Sequence, residues 1–190
     1  MLNLLRKLKA FRRDADGAVA IEFAGIAPVL CVLCLGGLSL FSVQRTAVNL
    51  EENTGIIADF IAREVTVDNA RLTEFHRLLM TLSERGDPAD AKMAVTSVLK
   101  RLDANGDEEV VTTWTWDSTS RVSAPGTGPF TGRTVPMLGV GESALIVQTE
   151  VKKPVMLVYE GPPIRTYTNS AVLTPRFINH VENNDAPYTP

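Results

Sequence analysis

Cysteine is almost missing from this 190-residue chain: there are two, Cys31 and Cys34, and both fall inside one apolar run. No disulfide can therefore staple the rest of the molecule, whose stability must come from packing. Their Cys-x-x-Cys spacing has no oxidoreductase fold around it, so both are expected to be small packing residues. Histidine is just as scarce. His76 and His180 stand far apart without Cys or acidic partners at ligand spacing, which argues against a metal centre and leaves surface or interface histidines as the expectation. Neither a Gly-x-Ser-x-Gly elbow nor a phosphate-binding glycine loop is present. Basic patches interleaved with aromatics are missing too, so nucleic acid is not an expected partner. Asp103, Asn105 and Asp107 alternate oxygens as a calcium loop does, but Glu108 stands where that loop wants Gly and Trp114 where it wants Glu. A solvated turn from helix to strand is expected there. The residues thus predict no catalytic group, no metal and no cofactor.

What the chain does have is one long uncharged stretch. From Phe23 to Val43, 21 residues pass without Asp, Glu, Lys, Arg or His. At about 1.5 Å per residue this helix spans roughly 31 Å, the thickness of a bilayer core. Glu22 stands at its entrance, and a carboxylate beside a membrane helix needs a partner, since an unpaired one costs at least about 2.5 kcal/mol at the centre and somewhat less near the interface. Before Gly17 the residues Arg6, Lys7, Lys9, Arg12 and Arg13 outweigh Asp14 and Asp16 for a local charge of +3; as the whole chain carries −3, the remainder carries −6. Basic residues beside a first membrane segment stay in the cytoplasm, so the bulk of the protein is expected on the opposite side. A secretory signal fits poorly, because the apolar run is long and ends in Gln44-Arg45-Thr46-Ala47 rather than a small-residue cleavage site. Arg12-Arg13 is a weak twin-arginine signal for the same kind of reason: the residues after it are acidic. Pro28 removes one backbone donor, so a kink or local melting near Ala24 is expected.

The run Gly17-Ala18-Val19-Ala20-Ile21-Glu22-Phe23, with Pro28 after it, resembles the class III signal of prepilin-like proteins, most closely the TadE-like pseudopilins of tight-adherence (Tad) pilus systems. The strong likeness covers about Arg12 to Val43, and Ser170-Ala171-Val172-Leu173-Thr174-Pro175-Arg176 is similar to the closing strand and Pro-Arg ending of such chains. The resemblance implies several things. A membrane-embedded prepilin peptidase cuts between Gly17 and Ala18. Glu22, fifth residue of the processed chain, then meets the new amine of a neighbouring subunit inside the filament. Partners would be that peptidase, other Tad pilins or pseudopilins and the inner-membrane assembly platform. The chain would be a non-catalytic minor pseudopilin of a type IVc pilus, held in the bacterial inner membrane with its head periplasmic and then incorporated into the pilus. The residues agree: Gly17 offers an unhindered backbone to a peptidase, and a freed Ala18 amine is positive at neutral pH. Two other readings compete, a single-pass anchor carrying a periplasmic binding or adhesive module, and a tethered enzyme whose cleft would gather Asp117, Glu142 or His76.

The organisation expected is α+β: a basic leader over 1–17, a transmembrane helix over 18–44, a stalk and head over 45–181, and a flexible, exposed tail over 182–190. Ala47, Val48, Ile56, Ile57, Phe60, Ile61 and Val65 extend the helical period to about Glu64, with a weak point at Gly55. Two amphipathic helices are predicted next, one striped by Leu72, Phe75, Leu79 and Leu82, the other by Ala91, Ala94, Val95, Val98, Leu99 and Leu102 behind an Asp87-Pro88 cap. Strand alternation follows in Val110, Thr112, Trp114 and Trp116, in Leu145, Val147, Thr149 and Val151, over Val155 to Tyr159 and over Ile164 to Leu173. The shared parity of Trp114 and Trp116 predicts that both face the core. Between the first two strands, Asp117 to Glu142 is rich in Gly and Pro and is expected as a loop.

Overall fold

The structure, a computed structural model, describes residues 16–118, 137–154 and 164–186. The basic leader up to residue 15, most of the Gly/Pro-rich segment, the strand expected over Val155 to Tyr159 and the last four residues lie outside the described residues.

The chain begins with α1 (Asp16–Arg63), then β1 (Thr66–Val67), α2 (Asn69–Leu82), β2 (Ala91–Leu102), β3 (Glu108–Asp117), β4 (Ser143–Pro154), β5 (Ile164–Leu173) and β6 (Glu182–Asn183). The fold is α+β, a long apolar helix carrying a small head. Strands β3-β2-β4-β5 form one antiparallel sheet in that order, and β1 pairs with β6 in parallel.

α1 runs unbroken through Pro28 and Gly55, so neither the local melting expected near Ala24 nor the weak point appears. Loss of one intrahelical bond at a proline is small against the cooperativity of the turns on either side. The far half of α1 lies across the sheet. Leu50, Ile57, Ala58, Ile61 and Ala62 recur at helical spacing and meet Leu145, Val147, Val151 and Tyr167 in one buried core. α2, capped at its start by Asp68 accepting from Arg71 N, adds Leu72, Phe75 and Leu79 to the same core.

The segment Ala91–Leu102 is a strand and not the second amphipathic helix expected from its spacing. It lies between β3 and β4, and its burial runs over both faces: Ala91, Met93 and Val95 point to the helices, while Val98 packs on the far face with Leu138, Ala144 and Ile146. A strand covered on both sides loses its alternation and reads as an apolar run, which helical spacing matches equally well. Asp87 caps no helix; its carboxylate accepts from Ala89 N in a turn. β2 and β3 are joined by a hairpin turn rather than a helix-to-strand turn, with Gly106 at φ +87° where a side chain would be strained.

A bulge shifts the β2/β3 register. Ser97 opposes Trp114 and Val98 opposes Thr112, leaving Thr113 unpaired. Val110 and Thr112 therefore face the other side from Trp114 and Trp116, against the single alternation expected. The core placement of the tryptophans holds: Trp114 is buried and Trp116 packs against the core.

Thr54 of α1 and Thr149 of β4 are both buried and touch at 2.6 Å. The Thr54 hydroxyl donates to Leu50 O at 2.6 Å, so it accepts from Thr149. Thr54→Val strands the Thr149 hydroxyl, and a loss of about 1–3 kcal/mol is expected in denaturant unfolding of the detergent-solubilised chain, mostly recovered in Thr54→Val/Thr149→Val. Equal stability of wild type and single variant would refute this clasp.

The carboxy-terminal segment closes the far end of the head. Arg176 N donates to Ala62 O and its guanidinium pairs with Asp59 at 2.5 Å. Ser143 Oγ donates to Asn179 O, and Trp114 Nε1 donates to Val181 O at 2.7 Å. Glu182–Asn183 then pairs with Thr66–Val67, and Asn183 is 1% exposed, so the expected exposed tail is tied down at its start.

Candidate functional site

The residues singled out by sequence lie together on the near half of α1, which stands clear of the head. Val19, Ile21, Phe23, Ile26, Val29, Leu33 and Leu40 are all more than half exposed. Among the described residues α1 is the one helix long and apolar enough to cross a membrane. The head packs on α1 from Val43, the last residue of the uncharged stretch, and Leu50 is the first α1 residue of the buried core. Cys31 and Cys34 are exposed on the same stem, compatible with packing against lipid or another helix.

Gly17 is exposed, and a Cβ built on it meets nothing within 4 Å. Its backbone belongs to the first turn of α1 and is not extended as a peptidase substrate must be. The first turn lacks intrahelical partners for its N–H groups, so a glycine there unwinds at small cost. Ala18 and Glu22 stand four residues apart, about one turn along α1. Glu22 is exposed, and Pro28 lies about 1.7 turns further along.

The other sites considered by sequence are structural. Asp103 Oδ1 accepts from Asn105 N and Asp107 N, both at 2.8 Å, and these bonds hold its carboxyl below the ordinary range. Its oxygens stitch a hairpin, and no cluster of three metal-ligating side chains occurs among the described residues. His76 is buried, against the expectation of a surface histidine: its Nε2 lies 2.7 Å from Ala91 O and its ring is edge-on to Trp116 at 6.4 Å. His180 is half-buried beside Ser97, and desolvation pushes its pKa down against the pull of Glu182. Arg71 is held above its usual value by its bonds to Glu64 and Glu74. Asp117, Glu142 and His76 do not converge. Asp117 opposes Ala94 and Glu142 O accepts from Lys100 N, six residues along β2 or about 20 Å at ~3.3 Å per residue.

Two clefts flank α1 where it enters the head, and sequence reasoning missed both. One, of about 310 Å³, lies between α1, the end of α2 and the end of β4, and is lined by Arg45, Asn49, Asn53, Ser83, Glu84 and Lys153 among others. The second, of about 440 Å³, lies between α1 and β5 beside Gln44, Glu51, Arg165 and Tyr167. Their residues come from elements more than 100 positions apart, so no local signal marks them.

Comparison of the chain with protein-family models, with curated proteins and with solved structures gives no match.

Proposed function

We propose that this chain is a minor pseudopilin of a Tad-type (type IVc) pilus, a non-catalytic subunit that a prepilin peptidase processes between Gly17 and Ala18 and that joins or assists the filament through its stem. The observation that carries this reading is the carboxylate of Glu22, set one turn from Ala18 at the mouth of an uncharged 21-residue stretch on a helix that stands free of its own head. The stem offers an apolar surface with one charge. Cleavage creates the opposite charge at the same level, and neighbouring stems packed side by side neutralise both. The amino terminus would remain cytoplasmic and the head periplasmic, in keeping with the basic leader. Its partners would be the peptidase, other Tad pilins or pseudopilins and the inner-membrane platform.

Mass spectrometry of the native amino terminus tests this directly. In cells with an active prepilin peptidase the chain is expected to begin at Ala18, shortened by 17 residues. Gly17→Ala should leave most of the chain unprocessed, because a side chain then enters the scissile position. A native chain that still begins at Met1 beside an active peptidase would remove the proposal and favour a plain membrane anchor.

A further inference from the structure

The cleft between α1, the end of α2 and β4 has the composition of a phosphate site, and it lies at the level where the uncharged stretch ends. Arg45 is two residues beyond Val43 and is exposed. Lys153 reaches the cleft from β4, with Glu84 from the end of α2 at 3.7 Å as the acidic group facing it. The charged lining therefore sums to one positive charge, from Arg45 and Lys153 against Glu84. Asn49 and Asn53 add carboxamides. Ser83 also lines the cleft, and its buried Oγ finds no hydrogen-bond partner among the described residues. The Ser42 and Thr46 hydroxyls donate to Ser39 O and Ser42 O, so the donors left for a ligand are chiefly Arg45, the two amides and the Ser83 hydroxyl, with Lys153 shared with Glu84.

Below the cleft the same face of α1 continues as Leu38 and Leu35, exposed at 59% and 52%. Leu38 stands seven residues, or about 10 Å, beneath Arg45 on a 1.5 Å rise, nearly in line with it. One molecule with a phosphate at Arg45 and a hydrocarbon chain along Leu38 and Leu35 satisfies both surfaces, whereas a free phosphate leaves the apolar face unused. The geometry points to this cleft as a binding site for the headgroup of an anionic phospholipid, seating the head on the bilayer surface and fixing its rotation about the stem. This rests on reading α1 as a membrane anchor. Lys153 and Arg45 come from distant parts of the chain, so the site exists only when the head is folded onto α1.

The test uses the full chain with phosphatidylglycerol and phosphatidylcholine of identical acyl chains, counting retained lipids by native mass spectrometry after flotation with liposomes. Wild type is expected to float and to retain phosphatidylglycerol with a preference of roughly tenfold, the scale of juxtamembrane cations acting near a lipid surface. Arg45→Gln/Lys153→Gln should bring that preference close to unity, while Glu84→Gln, which frees Lys153, should increase it. Retention unchanged in the double variant overturns the site. Displacement of the lipid by millimolar inorganic phosphate would instead make it a free-phosphate site and equally overturn the inference. A chain that floats without lipid preference refutes the headgroup site alone; one that fails to float removes the membrane reading with it.

Discussion

Trp114→Ala is expected to destabilise the head by about 3–5 kcal/mol, the cost of emptying a large aromatic site in a packed core. Trp114 is 3% exposed, sits where the β2/β3 bulge turns it toward the helices, and donates Nε1–H to Val181 O at 2.7 Å. The indole therefore does two jobs. It fills the core beside Val95 and Leu145, and it anchors the segment that leads into β6. Trp114→Phe separates the two, since it keeps most of the ring volume and abandons Val181 O, for an expected loss of about 1–3 kcal/mol. Denaturant unfolding of the detergent-solubilised chain, followed by circular dichroism, measures both. Amide exchange of Thr66, Val67 and Asn183 should rise in either variant as β1 and β6 part. If Trp114→Ala costs less than 1 kcal/mol, the packing described for the head is wrong.

Glu22→Ala is expected to leave insertion intact and to cut incorporation into pili by roughly a hundredfold or more, the scale of breaking a buried ion pair by removing one partner. The physical argument is that the freed Ala18 amine then enters the apolar bundle without an opposite charge. Glu22→Gln should be nearly as poor, because the amide supplies hydrogen bonds but no charge. Shed filaments and the membrane fraction, quantified separately, give the measurement. Normal incorporation of Glu22→Ala would make the carboxylate incidental and leave the chain as a simple anchored module.

Much of the architecture was legible in residue order. The uncharged stretch, the helical period that carries α1 to Arg63, the stripe of Leu72, Phe75 and Leu79, and the alternation of β4 are each local patterns, and each forms the element expected. Ala91–Leu102 was not legible as a strand. Its apolar residues satisfy helical spacing, and only pairing with β3 on one side and β4 on the other makes the extended form the better solution. The bulge at Thr113 is hidden for a similar reason: one extra residue leaves composition unchanged but reverses which face every preceding residue of β3 presents. His76 looked like a surface residue because a lone histidine carries no information about what will cover it, and here the covering carbonyl belongs to Ala91.

Residue order by itself determined that one stretch is long and uncharged enough to cross a bilayer, where the carboxylate at its entrance stands and which glycine precedes it, because these depend on near neighbours along one helix. Only the tertiary structure decided that β2 is central, that Thr54 clasps Thr149, that the chain's last described residues return to β1, and that Arg45 and Lys153 share a cleft. Those contacts join positions tens to more than a hundred residues apart, and their energy appears only when the chain has closed on itself, so no window of sequence contains it.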